Sequence, residues 1–373
     1  MKSLWRRGTS LFSTPTASPG PESPDDFRTA PSPDKLFPKT DPAVDGEECL
    51  HDCSTCTVRY PAKFDVDTQD TLYGNVNGWA THLLVATGKT DWVRDVADEP
   101  GSVMEAIERG GVQACNGNLK LTASNIPVPD EYHYHEQGKQ PTTVLILPSF
   151  TIVDHVTPAL APDLIRHFVD PSPTTTTPLR ASHRDSTQVE SQTANGSEPA
   201  NGSTDGDGNK DGNGDENANT LSLTPLRSRP CPHAAVILLC SQRTRDARCG
   251  QSAPLLRKEF ERHLRPLGLH RDLDDERPGG VGVYFISHVG GHKYAANVIV
   301  YRRRDFDWFR KDGGNGDGEE KGDGEGAAQG IWLARVRPED CENIVKFTVL
   351  KGKVVKPEQI RGGFDRERGV MSW

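Results

Sequence analysis

The chain has 373 residues, a formal net charge of −9 and a hydrophobic share of 34%, with 36 glycines and 28 prolines. That length accommodates two domains with connecting segments, while so low an apolar share means that part of the chain cannot bury a core. The acidic balance gives no reason to expect a nucleic-acid partner, no apolar run approaches the roughly 18 residues of a membrane span, and eight cysteines are too few for a disulfide scaffold but suit metal or redox use in a reducing compartment.

Residues 1–44 are rich in Pro, Ser and Asp and are expected to be disordered. Within them "MKSLWRRGTSLFSTPTASPGP" carries Lys2, Arg6 and Arg7 and no acid before Glu22. That is the make-up of a mitochondrial presequence, the plain alternative being a basic tail. A folded segment is expected over 45–170. "THLLVAT" (81–87) and "TTVLILPSF" (142–150) read as buried strands, and "GSVMEAIERG" (101–110) and "APDLIRHFV" (161–169) as helices. Residues 171–229 keep no apolar periodicity and read as a flexible linker.

The second folded segment, 230–373, opens with the strand "HAAVILLC" (233–240). An amphipathic helix over 252–268 follows, with Ser252 as N-cap and Leu256, Phe260, Leu264 and Leu267 on its buried stripe. "VGVYFIS" (281–287), "YAANVIVYR" (294–302) and "GIWLARVR" (330–337) read as strands, and "PEDCENIVKFTVL" (338–350) as a closing helix. The Gly/Asp-rich stretch 311–330 is a solvated insertion, tolerated because loop closure grows costlier only slowly with length. Strand, helix, strand, strand, strand, helix is the order of a thioredoxin-like domain, and the first segment carries a weaker version of it. The expected fold is therefore α/β, two tandem thioredoxin-like domains.

In such a domain the loop after the first strand is where redox cysteines sit. Cys240 ends that strand and Cys249 precedes the helix, whose N-terminus favours a thiolate. His288 and His292 follow the next strand in "SHVGGHKY", and the intervening glycines let that loop fold tightly. Both loops leave the same sheet edge, so the four side chains can converge. Two thiolates and two imidazoles suit a tetrahedral zinc ion or a 2Fe–2S cluster with Cys on one iron and His on the other. The residues alone leave zinc, iron–sulfur and no shared centre open.

"LLCSQRTRDARCG", "SHVGGHKYAANVIVY" and the ending "IWLARVRPEDCENIV…QIRGGFDRERGVMSW", with "TGKTDW" in the first segment, resemble the sucrase/ferredoxin-like family of fungi. The resemblance implies a C-terminal thioredoxin-like ferredoxin domain holding a 2Fe–2S cluster on Cys240, Cys249, His288 and His292. It further implies electron transfer or thiol redox maintenance as the function and the mitochondrion as the location. The alternatives are a zinc-binding interaction module and a metal-free thiol oxidoreductase that uses Cys240 and Cys249 or Cys53 and Cys56. The terminal Met371-Ser372-Trp373 resembles the tripeptide by which cytosolic iron–sulfur proteins meet their assembly machinery, which keeps the cytoplasm as the second location. The redox partner protein is not named by the residues.

Other motifs weigh less. Cys53 and Cys56 form a Cys-x-x-Cys that precedes the first strand, the wrong side for a thioredoxin site. "ATGKTDW" lacks the glycine a phosphate loop needs, since Leu83 stands there. His133 and His135 alternate as on a solvated edge strand, and Cys341 reads as a buried small apolar group.

Overall fold

The computed structural model describes residues 27–136, 138–179, 224–304 and 325–373. In chain order its strands are β1 (Arg28–Thr29), β2 (Thr81–Ala86), β3 (Leu119–Ser124), β4 (Thr142–Leu147), β5 (Thr151–Val156), β6 (Arg227–Pro230), β7 (Ala235–Cys240), β8 (His270–Arg271), β9 (Val281–Ile286), β10 (Val298–Arg303), β11 (Ala327–Leu333), β12 (Ile360–Asp365) and β13 (Val370–Met371). They form one mixed sheet in the order β1-β13-β12-β11-β10-β7-β9-β3-β2-β4-β5-β6, with β8 beside β9.

The two halves repeat one connectivity. In the first, β2 runs parallel to β3 and antiparallel to β4, which pairs with β5. In the second, β7 runs parallel to β9 and antiparallel to β10, which pairs with β11. Each parallel pair is joined by a crossover helix, Val103–Glu108 in the first half and Ala247–Leu264 in the second. This α/β order is consistent with a thioredoxin-like architecture. The halves are nonetheless not separate units, because β3 and β9 meet at Ser124↔Ile286 and carry the sheet across. Asn125 Oδ1 accepts from Phe285 N at 2.7 Å and Ala123 N donates to Ser287 Oγ at 3.1 Å, so the seam is hydrogen-bonded on both sides.

Alternation along the strands explains the layers. Leu83, Val85, Ile237, Leu239 and Val283 point to the face covered by the helices, where Met104, Ile107, Leu256, Phe260 and Val345 meet them in one continuous core. Leu84, Leu145, Val236, Leu238 and Ile286 point to the other face, packed by Trp79, Phe150, Trp332 and Phe364. With both faces covered, these strands read as unbroken apolar runs, the pattern of doubly buried sheet.

The structure corrects several expectations. Residues 27–44 are not without structure: β1 pairs with β13, and Leu36 and Phe37 are buried in the core. Ala30 and Thr40 are buried as well, and Tyr73 Oη donates to Ala30 O, so a few anchors dock a segment whose remaining composition is that of a tail. Both ends of the expected linker are held, Thr175 by hydrogen bonds to Ala80 and Trp79 and Arg227–Pro230 as a strand against β5. Of the expected insertion, Ala327–Gly330 already belongs to β11. The 252–268 helix begins at Ala247, because Asp246 rather than Ser252 caps it by accepting from Arg248 N. His133 and His135 lie on an exposed turn, not a strand. The presequence-like stretch 1–21, the middle of the expected linker and the centre of the insertion lie outside the described residues.

Candidate metal centre

β7 delivers Cys240 to its C-terminal end, where the backbone N–H donates to Asn297 O at 3.2 Å. The early start of the long helix puts Cys249 inside its first turn. Both thiols are buried, and their sulfurs lie 3.4 Å apart. β9 leads into the loop with His288, half-buried, whose Nδ1 is 3.8 Å from Cys240 Sγ. His292, exposed, brings its Nδ1 to 3.5 Å from His288 Nε2. Left-handed Gly290 (φ 86) and Gly291 (φ 65) turn the chain back so that His288 meets Cys240 and His292 comes up beside His288.

The donor atoms of Cys240, Cys249 and His288 all lie within 4.8 Å of one another, and His292 stands next to His288 outside that group. Zinc–sulfur and zinc–nitrogen bonds of about 2.3 and 2.0–2.1 Å imply tetrahedral edges of roughly 3.6–3.8 Å. The 3.4 and 3.8 Å separations therefore suit a single zinc-type ion better than a binuclear cluster. The hydrogen bond between the two thiols, more than His288, brings the Cys240 pKa down against its burial. The same bond pushes Cys249 far up. The pair thus holds one proton, and Cys240 is a ready thiolate.

The surroundings fix these groups. Gln242 Oε1 accepts from His288 N at 2.8 Å, while its amide reaches Val93 O in the first half at 2.5 Å. Asn297 Nδ2 donates to Gly291 O, and its Oδ1 accepts from Trp332 Nε1 and from Arg361 Nη1. Arg361 is buried, donates also to Gly290 O, and stacks 4.5 Å over Trp332. Lys120 lies 4.5 Å over the same ring. Burial lowers both cations, to about 10 and about 8, and the Cys240 thiolate opposes that lowering in each. Gln242, Asn297, Arg361 and Lys120 escape a reading of ligand types, although three of the four lie within the stretches quoted above.

A family model described as sucrase/ferredoxin-like matches residues 72–362, well over half of the chain. The chain belongs to the sucrase/ferredoxin-like family. Among curated proteins it is similar to actin patches distal protein 1 of Saccharomyces cerevisiae, 36% identical over 129 residues, which is 34% of each chain. It is similar to altered inheritance of mitochondria protein 32 of Clavispora lusitaniae, 35% identical over 130 residues (35% of each chain). The protein of that name from Debaryomyces hansenii is 37% identical over 127 residues, 34% of this chain and 35% of the other. These alignments span about a third of the relatives' length, and they carry two different names. No solved structure matches the chain.

The remaining cysteines of this sucrase/ferredoxin-like chain lie elsewhere. Cys341 and Cys231 are buried with thiol pKa values raised by desolvation, and Cys115 is exposed. Cys53 and Cys56 bracket a turn, Cys56 N donating to Cys53 O, and both are buried. Cys53 forms a second group of close donor atoms with His263 and Glu342. At the C-terminus Met371 lies in β13, Ser372 Oγ accepts from Gly363 N, and Trp373 packs 4.6 Å from Trp79. No helix among the described residues is long and apolar enough to cross a membrane.

Proposed function

We propose that Cys240, Cys249, His288 and His292 hold a 2Fe–2S cluster and that the chain serves electron transfer or thiol redox maintenance. The observation that carries this reading is the match to the sucrase/ferredoxin-like family over residues 72–362, and the donors fall in adjoining pairs, two sulfurs 3.4 Å apart and two imidazole nitrogens 3.5 Å apart. Two thiolates on one iron and two imidazoles on the other is a known ligand set, and membership in a ferredoxin-like family supports it. When bound, such a cluster supplies one-electron transfer. The chain's own part is to keep Cys240 ionised, to hold the histidine loop through Gln242 and Asn297, and to set Lys120 and Arg361 beside it. Burial lowers both cations' pKa values and the Cys240 thiolate raises them, so they favour a centre that gains negative charge on reduction.

The second reading is a zinc ion on Cys240, Cys249 and His288 with His292 as fourth donor. The compact three-donor group favours it, and the donor spacing alone supports it better than the cluster. We further propose that the repeated connectivity reflects two thioredoxin-like units, about 45–170 and 230–373 joined by the 171–229 linker. The name altered inheritance of mitochondria protein 32, borne by several relatives, supports a mitochondrial location, with the cytoplasm as alternative. Contact with the iron–sulfur assembly machinery through Met371-Ser372-Trp373 requires release of that tail from Trp79 and Gly363.

The test is metal analysis with an absorption spectrum on protein purified anaerobically. Iron with visible charge-transfer bands supports the cluster. Colourless protein with one equivalent of zinc that is lost in Cys240→Ser supports the second reading. Neither metal in folded protein leaves Cys240 and Cys249 as a dithiol and refutes both.

A further inference from the structure

We propose that Cys53, His263 and Glu342 form a second metal site, of zinc type, that clamps the cysteine-rich N-terminal segment onto the helical face. The three donors come from three separate parts of the chain. Cys53 stands in "CLHDCSTC", His263 in the last turn of the long helix, and Glu342 in the short helix Cys341–Asn343. Their ligand atoms all lie within 4.8 Å of one another, and Cys53 Sγ is 3.9 Å from His263 Nε2. That is a few tenths of an ångström beyond the roughly 3.6 Å edge joining sulfur and nitrogen on one tetrahedral zinc.

The backbone is already fixed for this purpose. Cys53 N donates to Glu339 O at 3.1 Å, and Asn343 Nδ2 donates to His51 O at 2.9 Å, so both sides of Cys53 are tied to the turn that carries Glu342. The Glu342 carboxyl is held below its usual range chiefly by its hydrogen bond with Cys53. The site is partly enclosed, with side-chain exposures of 13% for His263 and 26% for Glu342, which leaves the fourth position to a water.

Two cations stand at the site and must be accommodated. Lys346 contacts Glu342 at 2.9 Å through the outer side of the helix. Arg262 Nη2 reaches Cys53 Sγ at 3.3 Å and His263 Nε2 at 3.0 Å, but it is also bonded twice to buried Glu259, at 2.7 and 2.9 Å. Binding of Zn²⁺ displaces the Cys53 thiol proton to solvent and moves Arg262 onto Glu259 alone. Glu259, 1% exposed, stays neutralised throughout. No electron transfer is involved, and the site is independent of the Cys240 centre.

The experiment measures zinc and iron in the full chain, expressed with zinc chloride, for wild type and for Cys53→Ala, His263→Gln and Glu342→Gln. Each variant is expected to lose one equivalent of zinc, or at least tenfold in zinc affinity against a chelator, while the metal removed by Cys240→Ser is retained. A Cys240→Ser, Cys249→Ser double variant is expected to keep one zinc that Cys53→Ala then removes. Unchanged zinc in folded Cys53→Ala and His263→Gln means an ion-pair network only and overturns the site. Should those variants fail to fold, a wild-type chain whose zinc is accounted for entirely by Cys240 and Cys249 overturns it equally.

Discussion

Replacing Gly291 by alanine tests how the histidine loop is aimed. Its φ of 65 lies in the left-handed region, where an L side chain costs roughly 1–2 kcal/mol. Gly290, at φ 86, carries the same backbone cost but has nothing within 4 Å of an added Cβ. At Gly291 the added Cβ would lie 2.7 Å from the guanidinium of Arg361. That group cannot swing away freely, because it donates to Gly290 O, Asn297 Oδ1 and Asn75 O. Overpacking adds about 1–3 kcal/mol. Gly290→Ala should therefore destabilise by about 1–2 kcal/mol and Gly291→Ala by about 2–5, with a melting temperature lower by roughly 2–4 °C for each kcal/mol. Gly291→Ala should also lose metal, since it shifts the peptide between His288 and His292, and Gly290→Ala should largely keep it. The assays are thermal melting and metal content. In an Arg361→Met background the extra cost of Gly291→Ala should shrink to that of Gly290→Ala, a coupling of about 1–3 kcal/mol. Equal losses for the two glycines, or no coupling to Arg361, would refute the account.

Cys240→Ser and Cys249→Ser should each abolish metal binding, His292→Ala should weaken it less than His288→Ala because His292 stands outside the compact group, and Cys115→Ser should leave the metal content unchanged. Metal binding near pH 7 should release about one proton rather than two, because the hydrogen bond between the thiols favours ionising one of them and opposes ionising both; an unbuffered titration with a pH indicator that finds two would contradict the shared-proton pair. Asp45 is held at about 2, chiefly by a hydrogen bond from Lys353 and further by Lys351. Its folded pKa is depressed, so its contribution, about 1 kcal/mol, is full above about pH 4 and is lost as pH falls through 2. Asp45→Asn should accordingly lower the melting temperature at pH 7, by an amount that shrinks toward zero as pH falls through 2.

Much of the layered fold is legible along the chain because doubly buried strands announce themselves. "THLLVA", "TTVLIL" and "AVILLC" need no partner to be read. β3, β6 and β12 are harder. "LKLTAS", "RSRP" and "IRGGFD" carry polar or small residues whose strand state depends on neighbours that only the assembled sheet supplies. The seam between the halves rests on Ser124, Asn125 and Ser287, short polar side chains that read equally well as turn residues. At the site, ligand types could be picked out because thiols and imidazoles are rare. Arg361 could not, since a buried guanidinium looks in sequence like any surface arginine, and it acts on the histidine loop from 71 positions away.

The loop after β2 occupies, in the first half, the place that the Cys240 loop occupies in the second. It carries no cysteine. Instead Thr90 O accepts from Ser241 Oγ, Asp91 accepts from Thr244 N and Oγ1, and Val93 O accepts from Gln242. The first half thus braces the loop that follows Cys240 in the second. The arrangement is like that of a two-subunit protein within one chain, with the four candidate donors on one side and their template on the other. A fragment beginning near residue 230 would retain all four donors and lose the template, as an enzyme stripped of its regulatory subunit keeps its catalytic residues without their alignment.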